Sequence, residues 1–320
     1  MPLPVCKAGL TGHVRPGQGR ERMGTGENWK YGYPSQKQWG WPGAIEIFCG
    51  GTAGGTYLLS VLPYLLFNGR VFVTGVYASL VLVLISVFVL AAESNSLWRL
   101  PRAFFNIKSP LALGAISLSL LIILSIATIG ILHAGLPPKA LFFVGSLGVA
   151  VSLLVMMYPG ALMGLMKAIP FWSGPGASFL LLSASMLSGC AVVTLSGGLH
   201  HLNLNLSRMT LGFLAIHGLS LLIDLLLGGQ GSKAAQISVE RLIKGPLFPA
   251  FMIGVVGLGW VVPSVLYIID SISSSTPMLH AGSGLILIGG LLMRYSLIAS
   301  GVKISMLGED SIGATYWLDH

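Results

Sequence analysis

Glu46, Glu93, Tyr158, His217, Asp224 and Arg294 lie inside, or at the ends of, long apolar stretches of this chain. An ionisable side chain in hydrocarbon costs about 2.5–3.5 kcal/mol at the bilayer centre, so its position is informative. Carboxylates and a tyrosine hydroxyl can do general acid–base work. His217 and Asp224 are seven residues apart, hence on one helix face, and could form a proton relay. Each group also has a plainer reading. Glu46 and Glu93 could be interfacial carboxylates wetted by headgroup water. Tyr158, followed by Pro159 and Gly160, could be an aromatic-belt anchor at a helix end. Arg294 and Asp224 could neutralise each other as a structural pair, and His217 could bond to a neighbouring helix.

Metal and haem chemistry find little support in the residue pattern. Cys6, Cys49 and Cys190 are far apart and form no C-x-x-C pair or C-x-x-C-H run. Of seven histidines only His217 falls clearly inside a span, with His133 and His280 at span ends and His200 and His201 in a loop. A haem b between facing histidines would therefore need a partner for His217 that the pattern does not supply. Any haem, cluster or other metal is expected in a partner and none in this chain.

These side chains must be positioned by membrane helices. Of the 320 residues, 54% are hydrophobic and 9% charged, against about 25% charged in soluble domains. Stretches long enough to span a bilayer, roughly 20 apolar residues, recur along the chain, and in lipid they must be helical. Spans are expected near Ala44–Phe67, Val71–Ala92, Leu111–Leu132, Ala140–Leu162, Ala177–Ser196, Met209–Leu227, Leu247–Asp270 and Met278–Lys303. The fold class is thus all-α, a polytopic membrane protein of about eight transmembrane helices, arranged as two four-helix bundles. Residues 1–43 form an extramembrane tail without the marks of an export signal, with Met23 as an alternative start; 44–303 form the membrane domain and 304–320 a second tail. Gly50, Gly51, Gly54 and Gly55 make two small-xxx-small pairs in the first span and predict close helix packing.

An even number of spans puts both ends on one face, here face A. Glu46, Glu93, Tyr158, Asp224 and Arg294 then all fall toward face A, which predicts one shared recess with Arg294 turned into the bundle. Fourteen of the eighteen Lys and Arg residues lie on face A, three on face B, and Arg294 within a span. The positive-inside rule places face A in the cytoplasm. The net charge of +8 is accounted for by topology or an acidic partner, not by nucleic acid. Loop 93–110 carries Trp98, Arg99, Arg102, Phe105 and Lys108, the residue types of a docking surface, or else of a basic loop on lipid headgroups.

Four segments in order resemble one family. W-G-W-P-G-A-I-E-I-F-C-G-G-T-A-G-G, from Trp39 to Gly55, resembles the opening helix of the NrfD and polysulfide-reductase membrane subunits. A-E-S-N-S-L-W-R-L-P-R-A-F-F-N-I-K-S-P-L-A-L-G, from Ala92 to Gly114, is similar to their acidic helix end, basic aromatic loop and Ser-Pro-x-x-x-Gly helix start. Tyr158-Pro159-Gly160 resembles their Tyr-Pro-Gly motif, and G-G-L-L-M-R-Y, from Gly289 to Tyr295, their final-helix Arg motif. The resemblance implies a haem-free subunit of a respiratory oxidoreductase in the cell membrane. It would bind menaquinone or ubiquinone beside an iron–sulfur subunit, which connects to a molybdopterin or other catalytic subunit. It places the quinone pocket at Glu46 and Tyr158. Glu93 would exchange protons beside it, His217, Asp224 and Arg294 would lie on a proton path, and loop 93–110 would dock the partner. Some relatives carry histidine where this chain has Glu46. A transporter of eight helices remains the competing class, although paired broken helices and repeats are not evident; a structural anchor that binds no quinone is a third.

Overall fold

With no water to satisfy backbone amides in lipid, each apolar stretch closes its own hydrogen bonds as a helix. The computed structural model describes residues 35–304 except 38, 68, 94–109, 199–205 and 274–275. Eight described helices are long and apolar enough to cross a membrane, and the chain is an all-α, multi-pass membrane protein. They are α1 (Trp41–Phe67), α2 (Val73–Glu93), α3 (Pro110–His133), α4 (Pro138–Gly164), α5 (Pro175–Leu195), α6 (Leu206–Gly229), α7 and α8 (Thr276–Ala299). Helix α7 is composite, π-helical over Pro249–Val261 and α-helical over Val262–Ser273.

Helices α1–α4 pack as one bundle and α5–α8 as another, joined chiefly along α1 and α5. In α1, 83% of the most apolar window is buried, against 28% in α2, so α1 is the hub and α2 faces lipid. The glycines of α1 explain this. A Cβ on Gly54 would lie 2.9 Å from the Ser152 carbonyl oxygen of α4, and one on Gly55 would lie 2.3 Å from that of Ser185 on α5. Only a side-chain-free strip lets both backbones approach this closely. Hydroxyls tie helices across the bundles. Tyr57 meets Thr128 at 2.7 Å (α1 to α3), Ser79 donates to the Ala53 carbonyl at 2.8 Å (α2 to α1), and Tyr267 meets Ser283 at 2.7 Å (α7 to α8).

Both ends of the described chain come together on one face. Ser35 bridges to Val302, and the Gln36 amide donates to the Gly301 carbonyl at 2.9 Å. This pairing explains why α8 stops at Ala299, short of the expected Lys303: the strand-like segment needs extended backbone. Two elements were not anticipated. A one-turn helix, Pro170–Ser173, connects α4 to α5, and Lys233–Ile243 forms a helix in the α6–α7 connection. The latter is capped by Ser232 and buries Ala234, Ala235, Ser238, Val239 and Leu242 on one side.

Candidate quinone site

Glu46 stands on the second turn of α1 and is 7% exposed. Tyr158 stands near the end of α4, one residue before Pro159. The Tyr158 hydroxyl donates a hydrogen bond to Oε1 of Glu46, joining the two helices at the face-A end. The Ser86 hydroxyl of α2 donates to the Glu46 carbonyl at 3.1 Å, which holds the same turn from the other side. Gly114 of α3 makes room for the phenol: a Cβ there would lie 2.6 Å from Tyr158 Cε2. Thus all four helices of the first bundle build this corner.

Glu46 and Tyr158 border a common recess of about 90 Å³. Gly43, Ile47, Gly114 and Pro159 form its walls, and the half-buried Leu90, Ala115 and Leu162 mark its outer side. Trp39, just before α1, covers it from face A. Sequence reasoning did not single out Trp39 or Ser86. The Trp-x-Trp-Pro opening pointed toward the former; a lone serine in an apolar helix gives no signal.

The other expected members are placed differently. Glu93 closes α2, one turn after Leu90, but its side chain lies outside what is described. Trp98, Arg99, Arg102, Phe105 and Lys108 also lie outside the described residues, as do His200, His201 and both outer tails. Arg294 is turned into the bundle and is 1% exposed. Its Nη1 donates to the Gly290 carbonyl at 2.9 Å, its Nη2 to the Ser185 hydroxyl at 3.1 Å, and its guanidinium lies 5.2 Å from the centre of the Phe48 ring. The Nε of Arg294 has no hydrogen-bond partner among the described residues. The proposed pairing with Asp224 does not occur. Asp224 lies instead against Gly176 at the start of α5, where a Cβ would meet its Oδ1 at 2.4 Å. A single recess shared by five polar groups is therefore corrected: the recess belongs to Glu46 and Tyr158, and neither Arg294 nor Asp224 lines it.

His217 is buried, with Nδ1 3.2 Å from the Ser183 hydroxyl of α5. It lines a small internal cavity of about 10 Å³ with Ser188 and Gly290, the residue whose carbonyl holds Arg294. That is close to the space one water needs. His217 thus lines a small cavity between α5, α6, α7 and α8, and Arg294 does not line it but is bonded to the carbonyl of its wall residue Gly290; Asp224, two turns along α6, stands apart from it. Among the described residues no three of His, Cys, Asp and Glu come together as a metal site.

Comparison with known proteins adds one finding. A family model described as polysulphide reductase, NrfD, matches residues 30–305. A search of curated proteins finds no match.

Proposed function

This chain belongs to the NrfD polysulphide reductase family and is a membrane subunit of a polysulfide reductase-like oxidoreductase, and on that premise we propose that it binds a menaquinone or ubiquinone head group in the Glu46–Tyr158 recess. The family is in general quinone-interacting and partnered by iron–sulfur and molybdopterin subunits. For this chain, the observation that carries the reading is the hydrogen bond between Tyr158 and Glu46 within a lipid-level recess. Its interior of about 90 Å³ falls below the 300–1,000 Å³ of sites that enclose a drug-sized ligand, which suits a ring head with its tail left in lipid.

The residues present fit such a group. Tyr158 supplies a hydroxyl donor and Glu46 a carboxyl able to give or take a proton, the two functions a quinone oxygen requires. When bound, a quinone supplies two-electron, two-proton redox chemistry. The chain supplies the proton half. Tyr158 holds its proton toward Glu46 Oε1, and Ser86 fixes the Glu46 backbone so that the carboxyl stays aimed at the phenol. Ile47, Leu90, Pro159 and Leu162 keep water away, which strengthens each polar contact. Glu93, at the end of α2, is proposed to pass protons between the recess and face A. His217, at its cavity, and Arg294, bonded to the cavity-wall residue Gly290, are proposed as stations of a path across the second bundle. Asp224 is proposed as an outer station of that path on α6.

Electrons would pass to or from an iron–sulfur subunit docked on loop 93–110, with face A assigned to the cytoplasm of a cell membrane by its excess of basic residues. The test is quinol turnover by the assembled complex. Tyr158→Phe and Glu46→Gln each lower it about 100-fold, the scale of a lost proton-transfer group, with the complex still assembled. Unchanged turnover in both variants overturns the assignment.

A further inference from the structure

We infer that a second cavity on face A, carrying Lys167 and Lys303, holds the phosphate of an anionic lipid. The cavity has a volume of about 340 Å³ and is bounded by Gln36, Trp39, Trp172 and Leu165 together with the two lysines. It adjoins the quinone recess at Trp39, which lines both.

Long-range ties build its walls. The Gln36 amide donates to the carbonyls of Trp39 at 2.8 Å and Ile298 at 2.9 Å, and its oxygen accepts from the Trp39 amide at 3.0 Å. The Trp172 indole donates to the Leu297 carbonyl at 2.9 Å, and its ring stacks on Trp39 with centroids 5.7 Å apart. The Ile304 amide donates to the Ala168 carbonyl at 2.9 Å, which brings the segment after α8 against the connection after α4. Gly301 permits the approach, because a Cβ there would lie 2.7 Å from Trp172 Cζ2. These bonds occupy the side-chain donors of Gln36 and Trp172. The ammonium groups remain, and among the described residues neither lysine is paired with a carboxylate.

Two cations bordering one cavity with the Trp39 and Trp172 indoles call for an anion, and their depth identifies its source. Lys167 follows the end of α4 at Gly164, and Lys303 follows the end of α8 at Ala299, so both stand at headgroup level. Leu165, 63% exposed at the rim, gives an acyl chain an apolar edge. Indoles prefer this same interface. A phosphodiester headgroup satisfies all three features: charge, depth and apolar rim. A soluble phosphate uses only the charge.

The experiment titrates the purified full chain in detergent with short-chain phosphatidylglycerol, phosphatidylcholine or inorganic phosphate, and reads bound lipid by native mass spectrometry. Phosphatidylglycerol should bind at one high-affinity site and phosphatidylcholine should not. Lys167→Gln with Lys303→Gln should weaken that site about 30-fold, the loss of two surface lysines. The doubly arginine-substituted chain should retain it, and Lys139→Gln with Lys244→Gln should leave it unchanged. Equal binding in the glutamine variant overturns the proposal. So does displacement of phosphatidylglycerol by millimolar inorganic phosphate, which would mark a free-anion site.

Discussion

The half-buried Tyr158 is hydrogen-bonded to the buried Glu46, whereas among the described residues the buried Arg294 is held by a carbonyl, a hydroxyl and a ring face. A guanidinium costs about 2.5–3.5 kcal/mol at the centre of a span, and no carboxylate among its hydrogen-bond partners offsets that cost. Its removal would orphan little. Ser185 already donates to the Leu181 carbonyl at 2.7 Å, and the Gly290 carbonyl is a helix acceptor. Arg294→Met is therefore expected to leave the thermal midpoint in detergent unchanged or raised, while quinol turnover falls about tenfold, as for a lost proton-path station. A midpoint lowered by the equivalent of about 3 kcal/mol, with turnover intact, would make Arg294 a structural clamp instead.

At the scale of elements, the glycines carry the architecture. A Cβ on Gly189 of α5 would lie 2.5 Å from the Gly55 carbonyl carbon of α1, so Gly189→Val forces the two bundles apart. The expected cost is about 3 kcal/mol or more, seen as loss of monodisperse protein. Gly212→Val, with nothing within 4 Å of its Cβ, is the matched control on α6 and should behave as wild type. The spans themselves were legible because hydropathy records the solvent of each stretch, and α1 began three residues earlier than the expected Ala44. Helix Lys233–Ile243 was missed because a window that seeks 20 apolar residues averages away eleven amphipathic ones, although the Ser232 cap and the spacing of Ala235, Val239 and Leu242 were readable. The π-helical half of α7 was not readable, since the offset of backbone hydrogen bonds leaves no mark on an almost uniformly apolar segment. The site was legible in part for a related reason. Parity of spans gives depth, which brought Glu46 and Tyr158 to one level, but not azimuth, which separates Asp224 from Arg294. Ser185 escaped notice because serines that bond their own helix are common in apolar spans.

For the molecule as a whole, the two bundles hold separate polar sites. The first holds the Glu46–Tyr158 recess at face A, and the second holds the small cavity lined by His217 and Ser188. The proposed docking of an electron-exchanging partner belongs to face A, where α2 ends at Glu93 and α3 begins at Pro110, the helices that contribute Leu90 and Gly114 to the recess wall. Arg99→Glu with Arg102→Glu is expected to release the iron–sulfur subunit on affinity purification while the membrane chain still inserts. Single rim charges matter little to affinity, so the double change is the decisive form. Stoichiometric retention of the partner would move the docking surface elsewhere.

The central claim is that the quinone head group lies between α1 and α4. Photolabelling of the purified complex with an azidoquinone, followed by peptide mapping, tests it most directly. The account predicts one label per chain, displaced by excess quinone, on peptides containing Trp39–Ile47, Leu90, Gly114–Ala115 or Tyr158–Leu162, and strongly reduced in the Tyr158→Phe, Glu46→Gln double variant. Displaceable labelling confined to α6, α7 or α8, or undiminished in the double variant, would contradict it.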